Sequence, residues 1–102
     1  MHLVQILLPL ANPCSSDASP RHYEQLTHLL TEHFGGVTAF MRSPAEGRWK
    51  EGHAIQIDNI VVIEVMTDEL DRSWWSALRL RLMKEFGQED IVIRSQQMEL
   101  LT

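Results

Sequence analysis

The segment Arg42–Lys50 has the residue types and spacing of an anion-binding turn. Ser43 and Glu46 stand three residues apart, which is the spacing of a capping box, and Pro44 falls at the first helical position. This pattern predicts a single helical turn within an irregular connection over residues 43–54. The unbonded N–H groups at the start of such a turn attract anions.

Basic side chains surround this turn and strengthen the anion hypothesis. Arg42, Arg48 and Lys50 would bring positive charge to a carboxylate or phosphate, and Trp49 could stack on a planar ligand. The alternative is a structured hairpin whose tryptophan packs onto the edge of the domain, because single-turn caps are common without ligands.

One carboxylate stands among apolar residues in the longest strand-like segment of the chain. Glu64 alternates with Val62 and Met66, on the side of that segment predicted to point away from the helices. A buried carboxylate needs a partner, and Arg42 or Arg94 could supply it within one chain or across a dimer. Glu64 is therefore either part of a structural ion pair that fixes the register of a dimer, or a weak candidate for a catalytic acid or base.

The other chemistry-bearing residues form no recognisable catalytic or metal-binding motif. The five histidines include no H-E-x-x-H motif and no pair four residues apart. Cys14 is the only cysteine, which excludes an intramolecular disulfide and any multi-cysteine metal site. We therefore expect no metal and no cofactor, and the sequence leaves open whether the protein is an enzyme.

Hydropathy periodicity predicts the elements that must position these residues. Alternation with a period of two predicts strands, and apolar residues at helical spacing predict helices that end at Gly35-Gly36 and Gly87. The predicted strands cover residues 2–8, 37–42 and 55–66 and begin again at Ile91; the predicted helices begin at Ser19-Pro20 and at Thr67-Asp68-Glu69.

The order strand, helix, strand, strand, helix, strand predicts a ferredoxin-like α+β sandwich. We expect one domain over residues 1–102, with a four-stranded antiparallel sheet in the order 4-1-3-2 and both helices on one face.

The sheet face away from the helices is predicted to be unusually apolar. Six of its eleven predicted residues are apolar, whereas a solvated sheet face is largely polar. The simplest way to bury this apolar face is a two-fold homodimer in which the open faces of two copies pack together. The predicted face consists of Leu3, Gln5, Leu7, Phe40, Arg42, Asp58, Ile60, Val62, Glu64, Val92 and Arg94.

Composition and charge exclude several function classes. The chain has 102 residues with 14 acidic and 9 basic side chains, and its net charge of −5 argues against a nucleic-acid binder. No apolar run approaches the roughly 18 residues that span a bilayer, so we expect no membrane association. The first residues lack the basic region and the cleavage pattern of a signal peptide, and we expect a cytoplasmic protein.

Four segments resemble a family of small uncharacterised bacterial proteins. They are FGGVTA over residues 34–39, SPAEGRW over 43–49, DELDRSWW over 68–75 and QEDIVIR over 88–94. The resemblance covers nearly the whole chain and implies a bacterial protein. It assigns no catalytic role to any residue, because its members have no known function.

These observations predict a homodimeric domain that binds a partner protein or a small effector. The alternative is a small enzyme or a binding protein for an anionic ligand, with a pocket between the open sheet face and residues 43–54. RNA binding by the sheet is disfavoured, because the face lacks paired aromatic residues on neighbouring central strands. The alternative site would consist of Arg42, Arg48, Trp49 and Arg94 as ligand-binding residues, with Glu64 as the weak catalytic candidate.

Overall fold

Four strands and two helices follow the predicted order. The structure is a computed structural model that describes residues 1–9, 20–51 and 54–102. Its elements are β1 (His2–Pro9), α1 (Pro20–Phe34), β2 (Thr38–Glu51), β3 (Ala54–Thr67), α2 (Arg72–Glu85) and β4 (Val92–Gln97).

The strands form one antiparallel sheet in the order β2-β3-β1-β4. This is the predicted order 4-1-3-2 counted from the other edge, so the ferredoxin-like fold is confirmed. β1 and β3 are the central strands, and each helix connects two strands without crossing the open face. Right-handed crossovers place both connections on the same side of the sheet.

The core lies between the sheet and the two helices. Alternate residues of the central strands and the predicted apolar stripes of both helices bury their side chains there, as the two periodicities require. The buried set consists of Val4, Ile6 and Leu8 from β1, Val61, Ile63 and Val65 from β3, Tyr23, Leu26 and Leu30 from α1, Trp75, Leu78 and Leu82 from α2, with Phe86 and Ile91 beside them.

The second helix begins later than predicted. Asp71 is its N-cap, and one Asp71 side-chain oxygen accepts a hydrogen bond from the backbone N–H of Trp74 at 3.1 Å. Thr67 cannot open the helix because it still pairs with His2 in the β1–β3 ladder. Its hydroxyl donates to the carbonyl of Glu69 at 2.9 Å, which helps to form the turn between strand and helix.

The predicted irregular connection and helical turn over residues 43–54 are wrong. β2 and β3 continue as a paired hairpin as far as Glu51 and Ala54, with a register irregularity between Phe40 and Ala45. One helical turn gains too few hydrogen bonds to offset the cost of nucleation, whereas the neighbouring strand offers a continuous ladder. The proline of this stretch, which cannot donate a ladder bond, falls within the irregularity.

Candidate functional site

The sheet face opposite the helices carries side chains in rows that cross the strands. Residues paired in an antiparallel register lie directly opposite each other and project to the same face. One row runs from β2 to β4 and is apolar throughout. We call it the apolar row; it consists of Phe40, Val62, Leu7 and Val92.

The ends of the apolar row are open to solvent. Phe40 is 46% exposed and Val92 is 48% exposed, while Leu7 and Val62 on the central strands are half-buried. Met66, four residues further along β3 and paired with Leu3, is 51% exposed on the same face. The predicted apolar character of the open face is therefore present in the folded chain.

The neighbouring row is polar and is joined by hydrogen bonds. It consists of Thr38, Glu64, Gln5 and Arg94, and we call it the polar row. Gln5 Nε2 donates to Glu64 Oε2 at 2.7 Å, and Arg94 Nε donates to Gln5 Oε1 at 2.8 Å. One amide thus connects a carboxylate on β3 with a guanidinium on β4 across the intervening strand.

The structure brings Glu64 and Arg94 into one network but does not pair them directly. Sequence reasoning placed Gln5 on this face yet did not assign it the bridging role, which depends on the β1 register with both neighbours. The side chain of Arg42 lies outside the described part. The amide of Gln5 hydrogen-bonds to both charged groups but neither gains nor loses a proton itself.

The backbone register separates the other predicted ligand-binding residues from this network. Arg48 pairs with Ile57 and Trp49 pairs with Gln56, both on the distal part of the β2–β3 hairpin. At the rise of a strand, these pairs lie about 25 Å along β3 from Glu64. The side chains of Arg48 and Trp49 lie outside the described residues.

A groove that sequence reasoning missed lies between the first half of α2 and β4. Its volume is about 180 Å³. Leu70 and the core residues Val4 and Trp75 supply apolar surface, and Arg72 and Ser76 supply polar groups. The one sequence feature that could have pointed to this groove is Arg72, because a cation in the first turn of a helix is unfavourable in the field of the helix dipole and is unusual there.

Stacked aromatic rings connect the end of α1 with the start of α2. The His33 imidazole lies 4.3 Å from Trp74 with an interplanar angle of 7°, and Phe34 stacks on Trp75 at 5.3 Å. The two tryptophan rings meet edge to face at 4.9 Å. Trp75 belongs to the core while Trp74 stays half-buried, so the two adjacent tryptophans divide as their helical spacing predicts.

Two classes of site can be assessed for the described residues. Among the side chains that the structure describes, which exclude those of residues 9–20 and 41–59, no group of three or more histidine, cysteine, aspartate or glutamate residues could hold a metal ion. Cys14 and His53 are among the excluded residues. Neither α1 nor α2, the two helices of the described part, is long and apolar enough to cross a membrane.

Comparisons with known proteins reveal similarity of fold. No family model and no curated protein matches the chain. The chain is similar in fold to the PII-like protein CutA from Nostoc sp. PCC 7120 in its apo form. The match covers 97% of this chain and 82% of the CutA chain, with 15% identity and a TM-score of 0.57.

The match to a phage SAM lyase in the apo state covers 93% of this chain and 78% of the lyase chain, at 14% identity and a TM-score of 0.57. The match to a phage SAM lyase in complex with S-methyl-5'-thioadenosine covers 94% of this chain and 80% of the lyase chain, at 15% identity and a TM-score of 0.57. At these identities the comparisons concern the fold alone. They agree with the strand order in placing this chain among small α+β proteins with a ferredoxin-like sheet.

Proposed function

We propose that this protein is a homodimeric interaction domain whose two copies pack their open sheet faces against each other. The observation that carries the proposal is the apolar row, which crosses all four strands and has exposed ends at Phe40 and Val92. A row of this kind exposes apolar surface in an isolated chain, and burial of that surface favours association.

The polar row makes a second copy the best occupant of this face. Glu64 and Arg94 place opposite charges on either side of β1, with Gln5 between them. A face with this arrangement is complementary to itself, because a half-turn about β1 exchanges the sides on which the two charges lie. Gln5 gives each charged side chain one hydrogen bond, and the opposite charge on a second copy can supply the ion pair that neither has within its own chain.

A two-fold axis in the interface along β1 defines the packing. β3 of one copy then faces β4 of the other, so Glu64 lies opposite the partner subunit's Arg94. Val62 likewise lies opposite the partner subunit's Val92, and Leu7 meets its own copy near the axis. Phe40, on β2, then lies beside the edge of the partner's sheet rather than opposite one of its strands. Sheets that pack face to face keep their strands within about 30° of alignment, which this arrangement allows.

The direct test is the mass of the protein in solution with one substitution on the apolar row. Wild-type protein should sediment as a dimer at micromolar concentration, and Val92→Glu should sediment as a monomer, because the carboxylate would be buried against apolar surface. Val92 is already 48% exposed at the sheet edge, so the fold should tolerate the change. Circular dichroism checks that point.

A matched control comes from the opposite side of the molecule. Leu80 is 63% exposed on α2, away from the open face, so Leu80→Glu adds the same charge and should leave the dimer intact. A monomeric wild type would overturn the proposal, and so would a Val92→Glu variant that dimerises as well as Leu80→Glu.

Mixing two charge variants tests the packing geometry. Glu64→Lys alone sets two cations opposite each other across the axis, and Arg94→Glu alone sets two anions opposite each other, so each variant should dimerise about tenfold more weakly. An equal mixture restores opposite charges at both positions and should form heterodimers. If the mixture associates no better than the separate variants, the assignment of the axis to β1 is wrong.

A further inference from the structure

We propose that the groove between α2 and β4 binds a small carboxylic acid with an apolar body, such as a single-ring aromatic acid. The groove lies against the helix layer, and Arg94 of the polar row contributes to its lining. The groups on which this proposal rests, Arg72, Ser76 and the apolar floor, belong to neither row of the open sheet face.

The size of the groove limits the ligand. Its volume of about 180 Å³ is below the usual range of drug-sized pockets, roughly 300–1,000 Å³. An apolar cavity of about 150 Å³ accommodates one benzene molecule. A single ring or a short branched chain therefore fits, whereas a nucleoside does not.

The groove has an apolar floor. The core residues Val4 and Trp75 contribute to it, with Leu70 and Ile93 as half-buried neighbours. Burial of a ligand ring against this surface releases water and is favourable, whereas an inorganic anion would leave the floor hydrated. The floor therefore favours an amphipathic acid over phosphate.

The polar rim of the groove has free donors. Arg72, Ser76 and Ser95 line it, and none of their side chains forms a hydrogen bond or ion pair with another described residue. A guanidinium and two hydroxyls can together bind both oxygens of a carboxylate.

The two other cations that line the groove, Arg79 and Arg94, have structural roles. Arg79 Nε donates to the carbonyl of Ile91 at 2.9 Å and its guanidinium forms an ion pair with Asp90. Arg94 Nε donates to Gln5 Oε1 at 2.8 Å. Both of these arginines are therefore engaged by other groups, and Arg72 is the charge available to a ligand. The Asp71 carboxylate beside it is engaged by the N–H of Trp74 as the helix cap.

The test is a titration of the whole chain with benzoate, followed by NMR of the backbone amides and the tryptophan indoles. Benzoate should shift the signals of Trp75, Ser76 and Ser95 in a saturable manner. Benzyl alcohol, which has the ring without the charge, and inorganic phosphate, which has charge without the ring, should each bind at least about tenfold more weakly.

Two arginine variants show whether the charge at the groove matters. Arg72→Ala should weaken benzoate binding about tenfold, which corresponds to about 1.4 kcal/mol. Arg81→Ala removes the same charge from α2 at a residue paired with Glu85 outside the groove, and should leave binding unchanged. The proposal is overturned if benzoate causes no saturable shifts, if phosphate binds equally well, or if both variants weaken binding to the same extent.

Discussion

At the scale of single residues, the end of α1 depends on a backbone conformation that only one of two adjacent glycines adopts. Gly35 has a φ of 83°, and its N–H donates to the carbonyl of Thr31 at 2.8 Å. A side chain in this left-handed region costs about 1–2 kcal/mol. We therefore expect Gly35→Ala to lower the free energy of unfolding by about 1 kcal/mol, measured by urea denaturation.

Gly36 provides the control for this prediction. A Cβ at either glycine meets no atom within 4 Å, so crowding cannot distinguish the two positions. Gly36 has no positive φ, and an alanine there restricts the unfolded chain. Gly36→Ala should be neutral or slightly stabilising. Equal losses at the two positions would contradict the conformational explanation.

At the scale of elements, one arginine connects α2 with the chain that leads into β4. Arg79 donates to the carbonyl of Ile91 and pairs with Asp90. Arg79→Met keeps most of the aliphatic stem but leaves that carbonyl without its donor, and should cost about 1 kcal/mol of unfolding free energy. Urea denaturation measures the loss.

The same substitution two residues further along α2 separates the effect of this contact from that of surface charge. Among the described residues, Arg81 pairs with Glu85 within α2, and a pair of this kind is worth about 0.3–0.5 kcal/mol. Arg81→Met should therefore cost less than half as much as Arg79→Met. Similar losses would mean that the contact with Ile91 contributes little.

The elements also separate what sequence can predict from what it cannot. Local periodicity predicts which side of a strand or helix is buried, and Ile63 and Leu82 lie in the core accordingly. The lengths of β2 and β3 depend on pairing between two segments, so the local capping pattern at Ser43 was misleading. The bridge through Gln5 depends on the register of three strands, which no local pattern encodes.

At the scale of the whole molecule, two layers leave one sheet face without a cover. The helices bury one side of β1 and β3, and the apolar row lies on the other. A chain of 102 residues buries a smaller share of its surface than a larger domain does, so a second copy would add to its stability. Stability and association should therefore be linked.

This linkage predicts that thermal stability depends on protein concentration. If a folded dimer unfolds to separate chains, each tenfold rise in concentration adds about 0.7 kcal/mol per chain, which raises the Tm by about 3–5 °C for a domain of this size. Differential scanning calorimetry over a hundredfold range measures the effect. Val92→Glu should abolish the dependence and Leu80→Glu should retain it, because only the first places a charge on the apolar row. A wild-type Tm that stays constant across the range would show that the open face contributes nothing to folding stability through a second copy.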